Sequence, residues 1–376
     1  MDRVAVRTVQ PAVRHPAAAR RAHQGTEGTV TCRRRLPVFA AVLACLALIA
    51  AACSGGGGKK TSSATSAPAT TTTTEPPIFP LTGLPAAGSP NHTRPALVVK
   101  IENVPEARPQ SGLTQADVVY EEIVEAGLSR FIVVYQSQDA DPIGPVRSIR
   151  PSDPAIVKPL NPLYAYSGGT AKFINMLHAA GITDIGVDAA PKAYYRRPGR
   201  SAPHNLYSST PRLYAQAPAG GGPPPKIFDF LAANEPFGGA GVVPATHLTV
   251  VPGQRTTSTY DYDPATNAWK RGSNGTPQVV EGGAQVAPTN VILWFVPYVN
   301  SPGDVDVVGE PVSVAQVTGT GDAWVLSQGK VVKGKWSKPS AEIPVQFTDA
   351  LGAPIKITPG TTWVEVQPVG TAATVQ

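Results

Sequence analysis

The chain has 376 residues, 42% of them apolar, which is enough for two domains with buried cores. Its formal charge of +6 does not mark a polyanion-binding protein. Eight of the 32 Lys and Arg but only two of the 26 Asp and Glu fall in residues 1–52, so the remainder holds 24 of each and argues against a nucleic-acid partner.

Residues 1–29 show no apolar periodicity and stand upstream of a complete export signal, which predicts an over-extended gene start with translation beginning near Val30. Residues 30–52 read as that signal. Arg33, Arg34 and Arg35 precede an apolar run from Leu36 to Ala52, and the small residues end at Cys53. The run has 17 residues, at the short edge for a spanning helix of roughly 20, so a retained anchor is the competing reading. Ile49-Ala50-Ala51-Ala52-Cys53 resembles the lipobox of lipoprotein signals, with Ala50 where Leu is commoner, and Cys53 is the predicted lipidation site. Cys32 and Cys45 leave with the signal, so no disulfide is expected in the body. Residues 54–77 are a Gly, Ser, Thr and Pro tract that cannot offset its ordering entropy by burial, and so read as a tether of about 25–30 Å.

A first domain is expected over 78–240. Arg94 to Glu102 has the β-branched enrichment of a strand, and Asp117 to Tyr135 reads as a β-hairpin broken at Ala126-Gly127-Leu128. The period of two puts Val119, Glu121, Ile123 and Glu125 on one face, with Arg130 just past the turn as a partner for the carboxylates. Arg147 and Arg150 follow in a turn-rich segment. Ala165 to Thr170 is a strand end running through Gly168-Gly169 into a helical stretch, Ala171 to Ala180, whose first backbone N–H groups are suited to an anion. Tyr194 to Tyr207 then gathers Arg196, Arg197, Arg200, His204 and Asn205.

Pro80-Leu-Thr-Gly-Leu-Pro, Arg108-Pro-Gln-Ser-Gly112-Leu, Asp117-Val-Val-Tyr-Glu121, Gly144-Pro-Val-Arg147-Ser-Ile-Arg150 and Ala202-Pro-His-Asn205 together resemble the YerB-type lipoproteins. The resemblance spans about residues 80 to 368. It implies membrane anchoring, a first domain carrying these motifs and a smaller β-rich C-terminal domain, and it implies no particular reaction. In place of the family's usual Glu-Gly before a Thr-Arg, this chain has Glu125-Ala-Gly-Leu-Ser-Arg130.

The second domain is expected over 245–368, after a Pro223-Pro224-Pro225 loop. Strand-like runs at Thr246, Ser258, Asn290, Ala323, Lys330 and Thr361 predict an antiparallel β-rich unit, with hairpin connections at Ser327–Lys330 and Asp349–Gly352. Gly329, Lys330, Gly334 and Trp336 match the Gly-Lys-x-x-x-Gly-x-Trp pattern of the YerB-like C-terminal region. The fold class predicted for the whole is α+β, with a mixed α/β N-terminal domain.

Three functional readings compete. The first is a binding module for an anionic cell-envelope polymer or a protein partner, through an Arg-rich polar cleft built from Arg130, Arg147, Arg150, Arg197, Arg200 and Asn205, with His204 nearby. The second is a cell-wall glycan hydrolase or transferase with Glu121, Glu125 and His204 as catalytic candidates. In an extended strand those two carboxylates would sit roughly 13 Å apart, wider than the roughly 5–10 Å of glycosidases. The bland alternative makes Glu121 and Glu125 buried ion-pair partners for Arg130, Arg147 or Arg150, and a purely structural scaffold is the third reading. His92, His178, His204 and His247 are scattered and no nucleophile elbow appears, so neither a metal, another cofactor nor a serine triad is predicted.

Overall fold

The computed structural model describes residues 76–252, 256–306 and 309–376. The predicted start, the 30–52 signal, Cys53 and the tether as far as residue 75 lie outside the described residues.

The first segment contributes β1 (Leu97–Glu102), β2 (Val118–Ile123), β3 (Ser129–Tyr135), β4 (Leu163–Ala165), β5 (Thr183–Asp184), β6 (Tyr195–Arg196), β7 (Leu206–Tyr207) and β8 (Val243–Pro244). Its helices are short: α1 (Asp153–Val157), α2 (Ala171–Ala179) and α3 (Thr210–Tyr214). The second segment adds β9 (His247–Val251), β10 (Ser258–Asp263), β11 (Ala268–Ser273), β12 (Thr276–Pro277), β13 (Asn290–Val296), β14 (Tyr298–Val305), β15 (Pro311–Ala315), β16 (Gly319–Ser327), β17 (Lys330–Lys338), β18 (Gln346–Thr348), β19 (Thr362–Pro368) and β20 (Ala372–Val375).

One mixed sheet runs through both segments in the order β18-β17-β16-β13-β19-β2-β3-β1-β4-β5, with β8 beside β17. The join is β19, which pairs in parallel with β13 on one side and with β2 on the other, Thr362 opposite Val118 and Glu365 opposite Glu121. The two segments thus share one sheet, and the described residues form one compact unit. The fold is also more strand-rich than an α+β label implies, with twenty strands against three short α-helices among the described residues.

A sheet covered on both faces needs near-continuous apolar strands, and β1, β2 and β3 are buried almost throughout. Val98, Val118, Tyr120, Ile132 and Val134 pack with Ile156 and Val157 of α1 and Phe173 and Leu177 of α2. On the opposite face Val99, Val119, Phe131 and Val133 pack with Leu248, Tyr260 and Trp269, which belong to a second sheet ordered β12-β11-β10-β9-β20.

The C-terminal glycine and tryptophan pattern has a physical reason at each position. Gln328 and Gly329 both take positive φ, 49° and 66°, as the two-residue turn between β16 and β17 requires. Gly334 lets β18 approach, since a Cβ there would lie 2.0 Å from the Thr348 carbonyl oxygen. Trp336 is buried edge-on to Trp294 and donates its Nε1–H to the Phe295 carbonyl at 2.8 Å.

Candidate functional site

The β2–β3 turn, the end of β1, the Arg147–Arg150 segment, the start of α2 and the β14–β15 hairpin enclose a cleft of about 530 Å³. Ala126 and Gly127 adopt positive φ in that turn, which ends β2 and carries Glu125 off the strand. Glu125 meets the Arg150 guanidinium there, with Nε–Oε1 2.5 Å and Nη2–Oε2 2.9 Å. A second pair lies alongside, Arg147 Nε to Glu102 Oε1 at 2.6 Å, and the other oxygen of Glu102 takes His204 Nδ1 at 2.7 Å. Both glutamates are almost wholly buried.

Arg130 is the third guanidinium of the cleft and stands differently. Among the described residues it forms no ion pair, and its one hydrogen bond is a long 3.4 Å donation to the Ser148 carbonyl. Burial, followed by the neighbouring Arg150 and Arg147 charges, pulls its pKa down to about 10 against the opposing pull of Glu125 and Glu102. It is a cation held close to other cations and short of a carboxylate. Asp306, on the hairpin, also lines the cleft and accepts the Glu310 amide at 2.9 Å. At the start of α2, Gly169 and Thr170 line it too, and Thr170 caps the helix by accepting the Phe173 N–H. Ser129 and Ser148 also line it, and the rest of the lining is apolar, from Val104, Val124, Leu128, Phe173, Val305 and Val312.

Four of the residues singled out in the sequence thus converge: Glu125, Arg130, Arg147 and Arg150. His204 reaches them through Glu102, the last residue of β1, which was not among the residues singled out in the sequence. Arg197, Arg200 and Asn205 do not join the cleft. Arg197 forms a two-pronged pair with Glu281, Arg200 donates to the Ala107 and Pro109 carbonyls at 3.1 and 2.8 Å, and Asn205 accepts from Arg196 at 2.7 Å. These contacts pin the loop between β6 and β7 to its neighbours.

Glu121 corrects the paired-carboxylate expectation. It lies on the face of β2 that meets Arg271 of the second sheet, 1% exposed, against Arg271 Nη2 at 2.5 Å, with hydrogen bonds from Ser129 (2.7 Å), Asn103 (3.2 Å) and Trp363 Nε1 (3.2 Å). Arg271 is fully buried over the Trp363 ring, 4.7 Å from its centroid, and also meets Tyr260, whose hydroxyl is bonded to Glu365. Burial, then the Glu121 charge, push Glu365 up to about 7. Glu121 is therefore a partner of Arg271, not of Arg130, Arg147 or Arg150, and no glycan can reach it. On the other face of β2, Glu122 pairs with Lys100, and Lys100 reaches Asp153 at 2.7 Å, all three buried. Burial and the Asp153 charge push Glu122 up to about 8, so Lys100 faces one carboxylate and one carboxylic acid near neutrality.

A smaller cavity of about 230 Å³ lies between residues 226–229 and β18, but its lining is mainly apolar and its one charged pair, Lys226 and Asp229, is exposed. Among the described residues no cluster of His, Cys, Asp or Glu is arranged to hold a metal ion, and no helix is long and apolar enough to cross a membrane.

Comparison with known proteins gives a consistent picture. The model described as "Protein of unknown function (DUF3048) N-terminal domain" matches residues 81–222, and its C-terminal counterpart matches 248–364, together more than half of the chain. YerB of Bacillus subtilis (strain 168), described by its name as a candidate lipoprotein, is 27% identical over 312 residues, 79% of this chain and 88% of YerB. The crystal structure of Bacillus subtilis YerB superposes with a TM-score of 0.67 at 22% identity, covering 80% of this chain and 99% of that one.

Proposed function

The chain belongs to the YerB-like family defined by the DUF3048 N- and C-terminal domains, and from that premise we propose a lipid-tethered envelope protein that binds an anionic group in the Arg130 cleft. In this reading translation starts near Val30, residues 30–52 are removed, lipid attaches to Cys53, and the tract to residue 77 tethers a body on the outer side of the membrane. The lipoprotein name of the relative and the Ala-Ala-Ala-Cys53 sequence support the anchor. The body comprises the family's two parts, 78–240 and 245–368; the arginines of the binding site come from the first, and the β14–β15 hairpin of the second closes one side of it.

The observation that carries the binding reading is Arg130. Arg147 and Arg150 each have a glutamate of their own, whereas Arg130 is left with a long bond to a carbonyl. An arriving anion would supply the missing charge and relieve the repulsion from its neighbours. The hydrolase reading loses Glu121, the carboxylate it set beside Glu125, because that group is buried against Arg271.

The test is sedimentation or pull-down with purified cell-wall fragments, comparing the wild-type protein with Arg130→Gln. Capture lost in the variant, with thermal unfolding unchanged, is the expected result. Equal capture by both proteins would overturn the assignment of the site, and release of soluble sugar by the wild type would restore the enzymatic reading.

A further inference from the structure

The cleft has a composition that discriminates between anions. Its charged lining consists of three guanidinium groups, Arg130, Arg147 and Arg150, and three carboxylates, Glu102, Glu125 and Asp306. Arg147 and Arg150 are each neutralised by their own glutamate, so Arg130 alone offers its charge to a ligand, and Asp306 in the same lining opposes a second negative charge. A phosphate monoester or a teichoic-acid chain would place its extra charge near Glu102 and Glu125, which are buried and cannot swing away. A single negative charge matches the one guanidinium that lacks an ion pair, and the planar fork of Arg130 suits a carboxylate.

The rest of the lining concerns what is attached to that charge. Val104, Val124, Leu128, Phe173, Val305 and Val312 offer apolar surface beside the arginines, and a bare inorganic anion or a polyol would leave it wet. Ser148 and Thr170 add polar groups in the same space, which a simple fatty acid would not use. A volume of about 530 Å³ lies within the range of small-ligand sites and admits two or three residues of an extended chain, not a folded one.

Resting on the reading of this cleft as a binding site, we infer that its ligand is the free C-terminus of a short peptide ending in aliphatic residues. The terminal carboxylate docks on Arg130, the last side chains cover the valines and Phe173, and the amide between them meets the polar groups. The chemistry is that of a peptide tail, either from a secreted protein or from the peptide branches of a wall polymer.

Isothermal titration of the purified full chain with four probes tests this: N-acetyl-Ala-Ala, its C-terminal amide, N-acetyl-Gly-Gly and inorganic phosphate. We expect N-acetyl-Ala-Ala to bind, and the amide, and the acid against Arg130→Gln, each to bind at least about tenfold more weakly. N-acetyl-Gly-Gly should fall between them. Equal affinity of acid and amide in the wild-type protein would overturn the inference without reliance on any variant. Binding of phosphate, lost in Arg130→Gln, without binding of either peptide acid would leave the anion cleft standing and remove the peptide. Failure of every probe, in a protein whose wall-fragment capture also survives Arg130→Gln, would remove both.

Discussion

Replacing Arg271 by methionine isolates the contact that ties the second sheet to the first. Arg271 is fully buried, and its Nη2 lies 2.5 Å from Glu121 and 2.8 Å from the Ser258 hydroxyl. Methionine fills much of the same volume, so the cavity contribution is small. What remains is a buried Glu121 carboxylate with three neutral donors and no counter-charge, and breaking such a pair costs about 3–5 kcal/mol. Loss of the guanidinium over Trp363 adds about 1 kcal/mol. At roughly 2–4 °C per kcal/mol for a body of this size, the total of about 4–6 kcal/mol should lower the thermal midpoint by about 8–24 °C. Urea denaturation of Arg271→Met, Glu121→Gln and the double variant measures this directly. The double variant should be less destabilised than the sum of the singles by about 1–3 kcal/mol, because the second change removes the stranded charge. A cost below about 1 kcal/mol for Arg271→Met, or strict additivity, would refute the account of this network.

Glu122 and Glu365 hold protons more tightly folded than unfolded, so the folded state binds more protons between the ordinary carboxyl range and about pH 7–8. Their contribution to stability is present at the acid end and is lost as pH rises through that window. Glu365→Gln, which mimics the protonated acid, should flatten the decline expected in wild-type denaturant midpoints between pH 5 and 8, and an unchanged slope would contradict the assignment. Gly334→Ala should lower the unfolding free energy from urea denaturation by roughly 1–3 kcal/mol by forcing β18 from β17, whereas alanine at the exposed Gly352 turn, which has open space but positive φ, should cost only about 1 kcal/mol. Arg130→Gln should leave the thermal midpoint within about 2 °C of wild type, since it removes no ion pair, and a large fall would show Arg130 to be structural.

Local pattern accounted for the parts of the fold that local pattern controls. The Val, Ile and Tyr runs on either side of Ala126-Gly127 predict β2 and β3, which pair with Val118 opposite Val134. The i, i+3 spacing of Arg147 and Arg150, in a segment without regular structure, allows both to reach the carboxylates near the β2–β3 turn. The insertion of β19 beside β2 was not legible, because a parallel pairing between residues some 240 positions apart leaves no periodic mark on either strand. For the same reason Arg271 could not be named as the partner of Glu121. A signal did exist for the Lys100 network: a lysine in the middle of Leu97-Val-Val-Lys-Ile-Glu102 cannot be buried without a carboxylate, and Glu122 and Asp153 supply two. The face expected to be shared by Glu121 and Glu125 is lost because β2 ends at Ile123 and Glu125 stands in the turn that follows, and a period of two holds only within the strand.

Which arginine meets the anion is the central question, and side-chain nitrogen NMR answers it most directly. Solubilised wall fragments titrated into the protein should shift the Nε–H resonance of Arg130 first, in a saturable manner, with smaller changes at Arg147 and Arg150 and none at Arg197 or Arg200. Shifts confined to Arg197 and Arg200, or none at Arg130, would contradict the account.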